Sequence, residues 1–367
     1  MFTNTFPNYD ESLVSVSTSI LKYYHVDNPG HKSLKELDAI FEERNPRNVV
    51  LMLFDGFGYK LMQRNLGKDS FLKNHIIRSI SSTFPPTTVA ATTAVGSALY
   101  PIETGWLGWF SYFKEIDDIV TTFSNLRQSN GEPVKLPNLA RKYMPYTSIG
   151  TKIHVQNPKV IFTEIATYLD DSLTFPKIAS QIQNLLSTHQ RNFIYCYWPD
   201  PDHTMHELGV QNPDTIKVEQ QIDTFIKDLS SNKPEDTLLI IIADHGLIDT
   251  EYVYLKDYPA LYALLIRSYS MENRAASLWV KDVKTFKDEF SKSPLSKYFI
   301  LYDKESFLES GLLGKGQKHP MVDELVGDLI VIATNKYSLA LEKNDQEFIG
   351  IHAGLTEDEM LVPLIVI

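Results

Sequence analysis

Six side chains that can bind metal ions lie just beyond apolar runs of this sequence or in a loop after them. Three such runs, at residues 49–54, 193–198 and 238–243, are each followed by an acid or a histidine. A buried carboxylate without a partner is costly, so these acids belong at the carboxyl ends of strands, where ligands gather in open α/β sheets. The candidates are Asp55, Asp202, His206, Asp244, His245 and His352.

The spacing within this set favours a shared cation. Asp202 and His206 are four residues apart, which places both side chains on one face of a helical turn. His352 lies between Gly350 and Gly354, in a loop where the backbone can approach closely. Each residue alone is more often structural, but together they predict a metal site assembled from distant segments. Nitrogen and oxygen ligands of this kind suit Zn²⁺, Mn²⁺ or Fe better than Mg²⁺.

Two threonines follow a pair of prolines in residues 83–101, TFPPTTVAATTAVGSALYP. Pro85 and Pro86 disfavour a helix before them, so we predict a helix that starts near Thr88, with Thr87 or Thr88 as its cap. The helix dipole favours an anion at that end, and either hydroxyl is therefore placed to act as a nucleophile. Two cations about 4 Å apart could clamp a phosphate beside it.

Residues 102–113 form an aromatic segment that includes Trp106, Trp109, Phe110 and Tyr112. Two interpretations are open. The segment is either a hydrophobic plug or a wall beside a substrate. In the second case, Trp106 and Trp109 are the candidate substrate-binding residues.

Apolar strands alternate with amphipathic helices along most of the chain, as in the helical pattern at 216–229 that precedes the strand at 238–243. This alternation predicts an α/β fold, with a mostly parallel central sheet and helices on both faces. The composition changes after about residue 265. We therefore predict a hydrolase core at 1–266 and 326–367, and a small inserted α+β cap at 267–325.

The composition excludes several classes of protein. The 367 residues carry a net charge of -11 and no basic block, which argues against a nucleic-acid polymer as a partner. The single cysteine, Cys196, excludes an internal disulfide and a cysteine-based metal site. No apolar run approaches the roughly 18 residues that span a bilayer, and the first residues lack the pattern of a signal peptide. The prediction is a cytoplasmic protein with no membrane partner, and the sequence indicates no oligomeric state.

Five motifs in order along the chain resemble the alkaline phosphatase superfamily, in particular its type I phosphodiesterase/nucleotide pyrophosphatase branch. They are DGFG, FPPTT…LYP, PDPDHTMHELG, ADHG and HAGLTEDEMLVPL, which run from about residue 48 to the C-terminus and leave out the predicted insertion. The resemblance implies two metal ions in two trios of ligands. One trio is Asp202, His206 and His352, and the other is Asp55, Asp244 and His245.

The family's nucleophile opens a helix of small residues that ends in a TGLYP-like turn. Counting back from residues 99–101, LYP, places it on Thr88, whereas matching the TFP triplet would place it on Thr83. Many relatives carry a His-Gly pair soon after that proline, and some carry an Asn that holds the oxyanion. The stretch 103–110, ETGWLGWF, has neither the His nor the Asn, so the oxyanion donor is unassigned.

The resemblance implies a metal-dependent phosphodiesterase or nucleotide pyrophosphatase in which Thr88 forms a phospho-threonine intermediate. Its substrate would be a small phosphoester or nucleotide-like molecule, and its two divalent ions would be Zn²⁺, with Mn²⁺ or Fe as alternatives. The alternative functions are a phosphomonoesterase or phosphonate hydrolase on the same site, or a catalytically silent metal-binding relative. The Cys/Ser-x-Pro-x-Arg motif of sulfatases is absent. Residues 79–113 contain no Lys or Arg, which favours diesters over monoesters.

Overall fold

The computed structural model describes residues 2–27, 30–343 and 347–367. Over these residues the strands are β1 Asn48–Phe54, β2 Ile76–Ser81, β3 Phe110–Phe113, β4 Asp118–Thr121, β5 Val160–Ala166, β6 Arg191–Trp198, β7 Thr237–Ile242, β8 Ile248–Asp249, β9 Glu251–Tyr254, β10 Ser270–Met271, β11 Ala275–Leu278, β12 Phe299–Asp303, β13 Leu329–Ala333, β14 Tyr337–Ala340, β15 Gly350–Ile351 and β16 Leu361–Val366. The α-helices are α1 Leu13–Tyr23, α2 Lys35–Arg44, α3 Tyr59–Asn65, α4 Phe71–Asn74, α5 Thr88–Ser97, α6 Pro101–Thr104, α7 Leu139–Tyr143, α8 Ile149–Gln156, α9 Phe175–Leu186, α10 Asp202–Leu208, α11 Pro213–Ser231, α12 Pro259–Tyr262, α13 Val283–Lys292, α14 Lys304–Glu309, α15 Val322–Leu325 and α16 Glu357–Met360.

The central sheet has six strands in the order β2-β16-β7-β1-β6-β5. β1 is parallel to β6 and β7, and β5 is parallel to β6. The last strand, β16, runs antiparallel to its neighbours β2 and β7. Every residue of β1 is buried, which is typical of a strand covered on both faces. The predicted α/β class with a mostly parallel sheet is confirmed.

Local sequence signals explain the helices that flank this sheet. In α11, Ile222, Phe225, Ile226 and Leu229 are buried at the spacing of one helical face, and the side chain of Asn212 caps the helix. The predicted helix at 216–229 is therefore confirmed within a longer one. None of the described helices is long and apolar enough to cross a membrane.

A second sheet of six short strands has the order β12-β13-β11-β10-β3-β4 and is antiparallel throughout. The stretch 267–325, predicted as an inserted cap, supplies β10, β11 and β12. The stretches predicted as core supply β3, β4 and β13. The domain boundaries stay a prediction from composition, and the hydrogen-bonded sheet extends across both of them.

A buried ion pair joins the second sheet to the C-terminal part of the chain. The guanidinium of Arg274 donates to Glu359 through Nε (2.6 Å) and Nη2 (2.9 Å), and neither side chain is exposed. The carboxylate of Glu359 also accepts from the backbone N–H of Gly354, and its backbone carbonyl accepts from Gly246 N–H. Glu359 therefore contacts both loops that carry predicted histidine ligands, one through its carboxylate and the other through its backbone carbonyl.

Candidate active site

The sheet order brings the predicted ligands together. Because β1 lies between β6 and β7 and is parallel to both, the carboxyl ends of the three strands meet at one edge. Asp55 follows β1, Asp244 follows β7, and Asp202 opens α10 just after β6. The loop after β15 adds His352.

One group of ligands is Asp202, His206 and His352, whose ligand atoms lie within 4.8 Å of one another. Asp202 Oδ2 is 3.2 Å from Nε2 of His206, because α10 places residues four apart on one face. Asp202 Oδ1 is 3.9 Å from Nε2 of His352. These are the members of the first trio that the sequence resemblance implied.

The second group is centred on His245. Its Nε2 lies 3.3 Å from Asp55 Oδ1 and 3.6 Å from Asp244 Oδ2. Ligand atoms of Asp55, Asp202 and His245 lie within 4.8 Å of one another. Asp202 is thus close to both groups, whereas the resemblance gave it to the first trio alone. The assignment of each residue to one metal ion stays a prediction.

Backbone carbonyl groups orient the rings of all three histidines through the same ring nitrogen, Nδ1. Each places Nδ1 within hydrogen-bonding distance of a carbonyl oxygen, so that an Nδ1–H can donate to the backbone. Nε2 then faces the carboxylates, which is the orientation in which many histidines bind a metal ion through Nε2. The contacts are His206 to Gly350 (2.7 Å), His245 to Gly246 (3.2 Å) and His352 to Pro86 (3.1 Å).

The carboxyl groups perturb one another strongly. Burial, and then the charges of Asp244 and Asp202, raise the pKa of Asp55 well above its usual range. Burial likewise raises the pKa of Asp244. Burial also opposes ionisation of Asp202 and His206, but their mutual attraction prevails, which lowers the pKa of Asp202 and raises that of His206 to about 9. Three buried carboxyl groups this close together repel one another when ionised, and a positive charge between them would relieve that repulsion.

Two buried oxygens of this cluster fit metal binding directly. Asp202 Oδ1 and Asp244 Oδ2 have no hydrogen-bond partner among the described residues. Such oxygens are costly when nothing compensates them. Together with imidazole nitrogens, carboxylate oxygens form a donor set that suits a divalent transition metal. The residues present therefore fit a metal site.

Of the three candidate threonines, Thr88 is the one beside the ligands. Its Oγ1 is 3.3 Å from His245 Nε2 and 3.5 Å from Asp55 Oδ1. It is the first residue of α5, as the proline pair before it predicted. Thr83 is fully buried, and its hydroxyl donates to the carbonyl of Pro85 (3.4 Å). The hydroxyl of Thr87 is also buried.

Two cavities, of about 1010 and 1030 Å³, meet at this threonine. Thr88, Asp202 and Trp109 line both of them. The side chain of Trp109 is 42% exposed, and its contact with a substrate stays a prediction. The remaining wall of the first cavity includes Tyr252, Tyr269, Glu272 and Phe348. That of the second includes Phe123, Tyr146, Phe162 and Tyr168.

The placement of Trp106 requires a correction. It is only 3% exposed and is not among the described residues that line either cavity. Its indole N–H donates to the carbonyl of Met144 (2.8 Å), and its ring packs against Phe123 and Tyr146. This residue supports the cavity wall from behind, as the plug interpretation expected.

Sequence reasoning missed two residues of the site. The hydroxyl of Tyr197 donates to Asp55 Oδ2. Its place near the end of β6, close to the PDPD motif, was an available signal. Glu272 accepts hydrogen bonds from Thr87 and from the backbone of Trp109. No pattern around Glu272 in the sequence indicates this position.

A mostly parallel sheet whose carboxyl edge gathers three aspartates and three histidines beside a helix-terminal hydroxyl defines a hydrolase of the alkaline phosphatase class. The chain belongs to the type I phosphodiesterase/nucleotide pyrophosphatase family, whose defining pattern matches residues 49–355. The protein is therefore a phosphoric ester hydrolase, and the family resemblance of its motifs is confirmed. Comparison with curated proteins finds no match.

Solved structures share this fold. Murine ectonucleotide pyrophosphatase/phosphodiesterase 5 superposes with a TM-score of 0.65 at 16% sequence identity, over 86% of this chain and 87% of that one. An inactive variant of the murine protein in complex with AMP gives the same values. The human protein gives a TM-score of 0.63 at 17% identity, with the same coverage.

Proposed function

We propose that this enzyme hydrolyses phosphodiesters with Thr88 as its nucleophile. The observation that carries the proposal is the position of the Thr88 hydroxyl, at the N-terminus of α5 and within 3.5 Å of both His245 and Asp55. A hydroxyl at such a position can attack a phosphorus atom bound over the helix end.

Two divalent cations are part of the proposal. Asp202, His206 and His352 would hold one, while Asp55, Asp244 and His245 would hold the other, with Asp202 near both. Zn²⁺ suits this donor set, and Mn²⁺ or Fe are the alternatives. When bound, cations in such sites activate hydroxyl groups and stabilise negative charge on the leaving oxygen.

The chain's own groups then perform the displacement. A bond forms between Thr88 Oγ and phosphorus while the bond from phosphorus to one alcohol oxygen breaks. The proton lost by the threonine hydroxyl balances the proton gained by the departing alcohol, and the phospho-threonine that forms keeps the second ester group of the substrate. Water hydrolyses the phospho-threonine bond and restores the hydroxyl. The first backbone N–H groups of α5 have no partner within the helix, so they are available to the phosphate oxygens. They supply the oxyanion donors that the sequence left unassigned.

The cavities support a diester as the substrate. Arg141 and Arg267 are the only lysine or arginine residues among the described lining of the two cavities, and Arg267 is paired with Asp117. A monoester dianion therefore meets few fixed positive charges, whereas aromatic walls on both sides of Thr88 suit organic groups. A nucleotide-like diester fits this description. The complex of the murine relative with AMP, a nucleotide monoester, supports the nucleotide part of the proposal and not the ester type. The cytoplasmic location stays a prediction from the sequence.

The test is the Thr88→Ala variant. It should abolish turnover of bis(4-nitrophenyl) phosphate, while the metal content measured by mass spectrometry stays as in the wild-type enzyme. Thr83→Ala is the matched control, because among the described residues its hydroxyl donates to a backbone carbonyl and not to a member of the site. An active Thr88→Ala enzyme, or a dead Thr83→Ala enzyme that is folded, would contradict the assignment of the nucleophile.

A further inference from the structure

Thr87, the residue before the proposed nucleophile, lacks the hydrogen bond that an N-cap threonine usually makes. Thr87 is the N-cap of α5, yet its side chain accepts no hydrogen bond from the helix backbone. A threonine at this position normally accepts one from an N–H of the first turn, and that bond stabilises the helix. Here the hydroxyl instead donates to Glu272 Oε1 at 2.6 Å.

Glu272 is held firmly for this contact. Its Oε1 also accepts from the backbone N–H of Trp109 (2.7 Å), and the residue is only 7% exposed. It follows Met271, whose φ of +67° a side chain rarely adopts. Gly108 packs so closely there that a Cβ on it would lie 2.8 Å from the Met271 Cα. Two residues further on, Arg274 is fixed by its buried ion pair.

We propose that Glu272 is a positioning residue that draws the Thr87 hydroxyl away from the helix end, so that the first N–H groups of α5 are free to bind the phosphate of the substrate. The same carboxylate fixes the backbone of Trp109, which lines both cavities. The second sheet thus contributes to the chemistry of the site. This inference rests on the proposed function, since it assigns those N–H groups to the substrate's oxygens.

Substitutions at Glu272 and Thr87 that keep or remove one hydrogen-bonding group test this inference. Glu272→Ala releases the Thr87 hydroxyl, which can then rotate and cap the helix in competition with the phosphate. Glu272→Gln keeps a carbonyl oxygen that can accept from both Thr87 and Trp109. Thr87→Val has nearly the same shape as threonine but has no hydroxyl, so it cannot cap the helix. Thr87→Ser keeps the hydroxyl donor and is the matched control.

The experiment measures kcat and KM for bis(4-nitrophenyl) phosphate, and the Kd of inorganic phosphate by calorimetry, on metal-loaded enzyme. We expect Glu272→Ala to lower kcat by about 100-fold, as the loss of an oxyanion donor does elsewhere, and to weaken phosphate binding about tenfold. Glu272→Gln and Thr87→Ser should stay within about threefold of the wild type. The double variant Glu272→Ala/Thr87→Val should recover part of the loss, because no hydroxyl remains to cap the helix.

Three results would overturn the inference. They are a Glu272→Ala enzyme that matches the wild type, a Glu272→Gln enzyme as impaired as Glu272→Ala, and a double variant no better than Glu272→Ala. A different result would show that the proposed function is wrong. The wild-type enzyme would then not hydrolyse the diester at all, while the Kd of inorganic phosphate would still measure the effect of the Glu272 substitutions.

Discussion

Replacing Arg274 with methionine should destabilise the whole protein and not only its site. Arg274 is fully buried and donates four hydrogen bonds, two to Glu359 and one each to the carbonyls of Asn335 and Tyr337. Removing one partner of a buried pair leaves the other charge uncompensated, which costs about 3–5 kcal/mol. An unfolding entropy of about 2.1 cal/mol/K per residue over a chain of this length amounts to roughly 0.8 kcal/mol/K. Arg274→Met should therefore lower Tm by roughly 4–6 °C.

Thermal unfolding of the metal-loaded enzyme, followed by circular dichroism, measures this shift. The matched control is Lys292→Met, which removes an exposed ion pair with Glu289 and should change stability by less than about 0.5 kcal/mol. Adding Glu359→Gln to Arg274→Met should restore part of the loss, because the glutamine is neutral and can still accept from Gly354. A loss below about 1 kcal/mol in the single variant, or no recovery in the double variant, would refute the reasoning.

Two further predictions concern pH and substrate. Burial raises the pKa of Glu219 from 4.5 to about 8. The native state therefore keeps a proton that the unfolded chain releases, and stability falls as pH rises from about 4.5 to about 8. Glu219→Gln should leave stability unchanged at pH 4 and raise it by a few kcal/mol at pH 9 in urea unfolding, and equal stability of the two proteins at pH 9 would contradict this. The metal-loaded enzyme should also show a higher kcat/KM for a nitrophenyl phosphodiester than for nitrophenyl phosphate, and a tenfold preference for the monoester, about 1.4 kcal/mol, would contradict the diester proposal.

The parts of the site that could be predicted are those with a local signature. An apolar run followed by an acid, as at Asp55 and Asp244, reports both a buried strand and the end of that strand. The four-residue spacing of Asp202 and His206 reports a shared helical face. Two prolines before Thr88 mark the start of its helix. Each of these signals needs only a few neighbouring residues, and the structure places all of these residues together.

The rest depends on contacts between distant segments, which leave no local pattern. Trp106 and Trp109 are three residues apart in one aromatic run, yet one is buried behind the wall and the other faces both cavities. That difference is set by Met144, which accepts from the Trp106 indole, and by Glu272, which accepts from the Trp109 backbone. The partners lie 38 and 163 residues away along the chain. The second sheet also depends on contacts between distant segments, because its short strands come from three separate stretches of the chain.

The order of strands in the second sheet limits where this chain can be cut and recombined. A chimera joined at residues 267 and 325 would separate β10 from β3, and β11 and β12 from β13, since these pairs lie on opposite sides of the junctions. A longer exchange that keeps the second sheet whole must run from β3 to β13, and it then carries β5, β6 and β7 of the central sheet with it. The two sheets are interleaved along the chain. Exchange of one contiguous segment therefore cannot move the second sheet without part of the central sheet, whereas point substitutions in the cavity walls leave both sheets whole.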